Sequence, residues 1–225
     1  MKLSDRIKAD KAQLRTLSKE SRRLFIWDYY KLPILSAVCI LLVLVLAVCT
    51  WAGKRGTAMY AVFVNSDVRV VQAKPELLDA LLARGGMDMT EQTIDITADL
   101  TLGQDDFQET DGQTIQILAA MFGISGLDVF AADQETFDRY AVQDAFVDLS
   151  LFLDPELYEN SGCVPYWYEN GEGRTILGGV VLKPGSVLHE AGYYHTDVVI
   201  GVAANAENLD AAVLFTQQLL DCSAD

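Results

Sequence analysis

Side chains that do chemistry are scarce in this chain. Its 225 residues include two histidines, His189 and His195, and four cysteines, of which Cys39 and Cys49 fall inside an apolar run and read as small hydrophobes. His189-Glu190 followed by His195 is not the zinc-binding pattern HExxH. The second histidine comes six residues after the first instead of four, which takes it off a shared helix face, and Gly192 between them marks a loop. Also missing are the GxSxG elbow of a serine nucleophile, the GxxxxGK[ST] loop that cradles phosphates and any CxxC pair. No metal and no cofactor is expected, and catalysis is not the leading expectation.

Proline is sparse as well, at five residues, and no Ser/Gly/Pro-rich linker divides the C-terminal part, so residues 58–225 read as one domain. Basic residues are nearly missing from that part. Residues 56–225 carry six Lys/Arg against twenty-eight acids, a net charge of −22, whereas residues 1–31 carry nine Lys/Arg against four acids, or +5. A domain this acidic without a basic patch does not bind nucleic acid. Basic peptides, cations or a cationic subunit are the partners that its field would attract, although acidity also serves plain solubility.

What the chain does have is an apolar run from Leu32 to Ala52, free of charge and flanked by Trp27, Tyr29, Tyr30 and Trp51. Its length predicts a transmembrane helix over 32–52. The basic arm 1–31 then belongs on the cytoplasmic side and the acidic domain outside, which makes a single-pass type II protein of a bacterial cell membrane. A cleaved signal peptide fits less well, because the arm is too long for an n-region. Leu46-Ala47-Val48-Cys49 approaches a lipobox, but Val48 is not the small residue that box needs. The arm itself has apolar residues at a 4-3 spacing (Leu3, Ile7, Leu14, Leu17, Leu24) and reads as an amphipathic helix. Residues 53–57 form a short stalk.

Beyond the stalk, β-rich apolar runs at Ala58–Val64, Thr93–Thr97, Leu127–Ala131, Thr175–Leu182 and Asp197–Ala203 alternate with helical patterns. Pro75-Glu76 opens one helix and Gly85-Gly86 ends it. Asp111 reads as the N-cap of a second, which carries Ile115, Leu118, Ala119 and Phe122 toward the core; Asp133 caps a third with Phe137 and Tyr140 facing in. A last helix starts near Asn205. The pattern predicts a three-layer α/β domain whose sheet contains parallel pairs, covered by helices on both faces. Gln104–Gly112 reads as an acidic, solvated loop without the spacing of a calcium site.

A family resemblance rests on several pieces. Leu127-Asp128-Val129-Phe130-Ala131-Ala132-Asp133, then Ala145-Phe146-Val147-Asp148-Leu149, then Asn170-Gly171-Glu172-Gly173-Arg174 through Leu182 and Val198 through Asn208 with Ala211, Ala212 and Phe215, resemble bacterial extracellular solute-binding proteins of ABC importers. In that family a second lobe would follow Leu149, where only about 25 residues precede Arg174. The resemblance therefore implies one lobe without its partner, and an import mechanism based on closure between lobes is not expected of it alone.

Pro165-Tyr166-Trp167-Tyr168 is the local feature with binding character, since adjacent aromatics stack on rings or grip a partner, although a loop sealing an open sheet face explains them too. A bound ligand is expected at the carboxyl ends of the strands, near Asn65, Asp133, Tyr166, Trp167 and Tyr168. Cys163 and Cys222 either form a disulfide that pins the C-terminal tail or stand separately. The expected function is a membrane-anchored extracytoplasmic recognition or assembly domain of solute-binding-protein-like form, with the membrane, an envelope protein or a small solute as partner. An envelope hydrolase using Cys163 (with His195) or His189/Glu190 is the rival, and a structural subunit of a membrane complex is the third reading.

Overall fold

The computed structural model describes residues 35–36, 38–46, 56–67, 74–103, 109–124, 126–160 and 162–223. They fall into two units, Met1–Lys54 and Arg55–Asp225. In the first unit, residues 35–36 and 38–46 are helical with exposed side chains. This overturns the expected transmembrane helix over Leu32–Ala52: among the described residues, no helix is long and apolar enough to cross a membrane. The single-pass anchor, the cytoplasmic N-terminus and the placement of the domain outside a bacterial cell membrane all depended on that helix, and none is supported. The amphipathic arm and stalk residues 53–55 lie outside the described residues. Gly56 and Thr57, read as stalk, already belong to the first strand.

The second unit is a mixed α/β domain built on one six-stranded sheet in the order β2-β1-β3-β6-β5-β4. The strands are β1 (Gly56–Val64), β2 (Gln92–Leu100), β3 (Val129–Ala132), β4 (Val164–Glu169), β5 (Thr175–Leu182) and β6 (Val198–Val202). The helices are α1 (Pro75–Arg84), α2 (Glu109–Gly123), α3 (Gln134–Ala141), α4 (Pro155–Asn160), α5 (Val187–Glu190) and α6 (Leu209–Ser223). β1 pairs in parallel with both β2 and β3. From β3 onward each neighbouring pair is antiparallel. Half of the sheet is thus wound as crossovers and half as a meander.

Alternation along the strands sends side chains to two separate cores. On one face Met59, Ala61, Phe63, Val129, Val180 and Ile200 pack with Leu78 and Leu82 of α1, Leu188 of α5 and Phe215 and Leu219 of α6. On the other, Val62, Val64, Phe130 and Val199 meet Leu118 of α2 and Phe137 and Tyr140 of α3. Local chemistry sets the helix ends. α1 has Pro75 in its first turn and Arg84 in its last, and the Gly85 N–H closes on Leu81 O at 3.0 Å. Asp133 caps α3 through the Thr136 N–H at 3.0 Å. α2 begins at Glu109 instead of being capped by Asp111, so the second part of the expected acidic loop is helical, while residues 104–108 lie outside the described residues. The last helix starts at Leu209, four residues later than Asn205.

One buried carboxylate ties these parts together. Asp128, 1% exposed, accepts the Tyr60 N–H at 2.8 Å, the Asn208 N–H at 2.7 Å and the Asn208 side-chain amide at 3.0 Å. Its own N–H donates to Tyr60 O, and its carbonyl accepts from Ala203 N, both at 2.9 Å. β1, β3, the end of β6 and the entry to α6 therefore meet at one residue. Asp128→Ala removes the acceptor of three part-buried donors. A loss of about 3–5 kcal/mol of unfolding free energy is expected in urea titration. A loss below about 1 kcal/mol would show that the junction is held by apolar packing alone.

Candidate functional site

The chain turns from β1 to neighbours on both its sides, so the carboxyl ends of β1 and β3 are where an open sheet of this kind leaves a crevice. Asn65 follows β1 with φ 54, a left-handed conformation that asparagine tolerates better than most residues. Its side-chain amide donates to Asp133 Oδ2 at 2.6 Å and lies 3.3 Å from Thr136 Oγ1, while its oxygen accepts the Leu102 N–H at 2.7 Å. The two expected site residues, 68 apart in sequence, are thus in direct contact. Their hydrogen bonds hold β1, β2 and α3 to one another.

The crevice itself is filled from within. Tyr194, buried, points its hydroxyl at the carbonyls of Val64 and Ala131, 2.9 Å from each, between the ends of β1 and β3. Burial, then the carboxylates of Asp133 and Asp67, push its phenol well above its ordinary pKa. The segment that carries it is strapped down: Asp67 N donates to Tyr193 O, His195 N donates to Asp67 Oδ2, both at 2.9 Å, and Lys74 N donates to Ala191 O at 3.0 Å. The sequence reading missed Tyr194. A tyrosine pair between Gly192 and His195 reads as an exposed loop, and its burial arises only from strands distant in the chain.

Tyr166, Trp167 and Tyr168 lie on β4, at the far edge of the sheet from β2, and do not join Asn65 and Asp133. They also divide between the two faces. Trp167 is 46% exposed and meets Tyr158 edge-on with ring centroids 6.5 Å apart. Tyr166 packs on Phe137 at 5.1 Å, and its hydroxyl donates to the Asp138 carboxylate, so it anchors the edge strand to α3. The Tyr168 ring fills the space over Gly178, where an added Cβ would stand 2.2 Å from its Cε1. Its hydroxyl is buried, with only a contact to the Phe146 backbone that falls short of hydrogen-bond geometry.

An open concavity lies elsewhere, and the sequence reading assigned its walls to the core. A groove of about 520 Å³ runs between α2, the end of α3 and the turn after β6. Ile115, Ala119 and Phe122 of α2 line it, with Tyr140 stacked on Phe122 at 5.0 Å and 22°. Leu118 is fully buried, but Ile115 remains 38% exposed and Ile117 42%. The available signal was the apolar run Ile117-Leu118-Ala119-Ala120-Met121-Phe122, which wraps more than one helix face. Arg139, Gln143, Asp144 and Asn205 form the rim.

The residues named for catalysis are dispersed or occupied. Cys163 leads into β4 and His195 binds beside the end of β1, four strands away, about 19 Å at ordinary strand spacing. His189 has one ring nitrogen on Ser186 Oγ at 2.7 Å and the other on Thr196 O at 2.8 Å. The carbonyl requires an N–H from Nε2, so Nδ1 accepts from Ser186 in the neutral ring. That pair closes the first turn of α5 and ties it to the strand that follows. Among the described residues no group of three His, Cys, Asp or Glu side chains is placed to hold a metal ion. The side chain of Cys222 lies outside the described residues, and with it the expected pairing to Cys163.

Two substitutions separate packing from polar roles here. Tyr194→Phe strips a donor from two strand-end carbonyls, and thermal or urea unfolding should register a loss of about 1–3 kcal/mol. Tyr168→Phe should cost less than about 1 kcal/mol at pH 7, because the hydroxyl it removes makes no well-formed hydrogen bond. Burial first, then Asp144 and Asp148, push the Tyr168 phenol up to about 12. Its neutral form is the one that folds, so its contribution is whole below about pH 10 and is lost as pH climbs from 10 to 12. The variant's stability should decline less than the wild type's across that window, and identical curves would refute the assignment. Kinship offers no second route to these roles, because the chain matches no known protein family, no curated protein and no solved structure.

Proposed function

We propose that residues 56–225 form a non-catalytic recognition domain that takes a small amphipathic molecule in the groove between α2 and α3. The observation that carries this reading is the partly open apolar stripe of α2. Ile115, Ala119 and Phe122 recur on one helix face, the first two exposed and Phe122 half-buried, and with Tyr140 they line about 520 Å³ of concave surface. That size and composition, an apolar floor with a few polar groups at the rim, is what small-molecule sites usually have.

The reading keeps the recognition half of the solute-binding resemblance and drops its hinge. A groove within one domain needs no second lobe to close on its contents. The strand-end crevice is the weaker candidate, since Tyr194 fills it and the amide of Asn65 is committed to Asp133, Thr136 and Leu102.

Ala119→Trp tests the groove, because an indole there occupies the floor from an exposed helix position. The intact chain is heated with a panel of small amphiphiles. A ligand at a hundred times its Kd should raise the wild-type midpoint by about 5–10 °C, and the tryptophan variant should not respond. Equal shifts in both proteins would place binding outside the groove. No shift with any amphiphile would sink the recognition reading itself.

A further inference from the structure

We infer that the groove selects a cation: a small primary ammonium on an aliphatic or aromatic body. This rests on the groove being the binding site. The argument comes from which polar groups at the rim are already engaged.

Each rim amide has spent a donor and kept its acceptor, and the one cation at the rim is paired with a carboxylate of its own helix. The guanidinium of Arg139 lies 2.7 Å from Glu135 Oε1, so its charge is answered within α3. The side-chain amide of Gln143 donates to Arg139 O at 2.8 Å. That of Asn205 donates to Phe122 O, which also fixes the orientation of the amide, because a carbonyl needs the NH₂ end. The oxygens of both amides then have no donor among the described residues. Asp144 completes the set. Its carboxylate accepts only the Gly171 N–H, at 2.9 and 3.2 Å, from a capacity of about four lone pairs.

Asp144 is held in place for this role. It sits at φ 56 in the turn after α3, and Gly171 approaches so closely that a Cβ there would be 2.7 Å from Asp144 Oδ2. Asp144, Gln143 and Asn205 thus line the same groove as the stacked rings of Phe122 and Tyr140. An ammonium meets this arrangement with its three donors, and its apolar body meets the ring faces, which also attract cations. A carboxylate or phosphate would meet the Asp144 carboxylate and the two amide oxygens, with only Arg139, already paired with Glu135, to receive it. The −22 charge of residues 56–225 adds a field that concentrates cations and repels anions.

The test uses three probes of one shape, 2-phenylethylamine, 2-phenylethanol and phenylacetate, titrated into the intact chain by calorimetry. The amine should bind about tenfold tighter than the alcohol, with phenylacetate weakest. Raising salt from 0.05 to 0.5 M should weaken the amine and leave the alcohol unchanged. In Asp144→Asn the amine-to-alcohol ratio should fall to about one. Asparagine keeps the left-handed turn and an acceptor for Gly171, so a folding defect does not explain that result. If the alcohol or phenylacetate binds as tightly as the amine, the cation inference is wrong while the groove reading stands. Amine binding that survives Ala119→Trp also overturns the inference, since the cation is then held elsewhere on the acidic surface. Failure of all three probes together with the amphiphile panel would remove the groove reading and this inference with it.

Discussion

The buried carboxylate of Asp128 is the constraint on which the domain's layout depends. A charge at 1% exposure is costly unless its lone pairs are filled, and here three N–H groups from two distant segments fill them. Those segments are β1 and the entry to α6, 80 residues from Asp128 at the farthest. Bringing them to one point fixes where α6 begins and on which face it lies. It also fixes the end of β6, because Ala203 N closes on the carbonyl of the same residue. The groove between α2 and α3 then opens beside Ala204 and Asn205, the two residues that leave this junction.

The fold was legible where local chemistry decides it. Pro75 and Gly85 bound a helix by backbone geometry alone, and Asp133 caps α3 because its short side chain reaches the Thr136 N–H. Direction was not legible beyond β3. Nothing in Val198–Val202 encodes that it runs antiparallel to β3; that follows from how β5 and β4 return. β4 itself was obscure for a related reason. Tyr166, Trp167 and Tyr168 are apolar on both faces, so they give no alternation, and pairing with β5 makes them a strand. The run at Leu32–Ala52 misled in the opposite way. Its composition is that of a membrane span, but among the described residues no helix is long and apolar enough to cross a membrane.

The candidate site divides along the same line. Asn65 and Asp133 meet because both follow parallel neighbouring strands, a relation visible in the sequence pattern. What they do together is structural, and this depends on Tyr194, whose place at the splayed ends of β1 and β3 no local signal marks. Ile115, Ala119 and Phe122 have the spacing of a core face and were read as one. Spacing tells which residues share a side of a helix. Whether that side is covered depends on how much sheet and helix the rest of the chain supplies.

That supply is unequal here, which explains why the groove lies where it does. Six strands span about 24 Å across the sheet, and a helix with its side chains is about 10 Å wide. Four helices, α1, α4, α5 and α6, share the core on one face, whereas α2 and α3 stand on the other. Two helices fall short of that width, and the deficit is met partly by side chains. Tyr166 and Tyr168 lean inward from β4, and the stack of Phe137 on Phe146, 4.1 Å between centroids and 6° from parallel, thickens the layer beneath them. Phe137 reaches so far down that a Cβ on Gly201 would stand 2.7 Å from its Cζ. The aromatics close the β4 side of this face, and among the described residues the α2 side keeps Ile115 exposed and Phe122 half-buried. An apolar surface left partly open by folding is where a ligand gains most by binding, because the water there has not already been displaced.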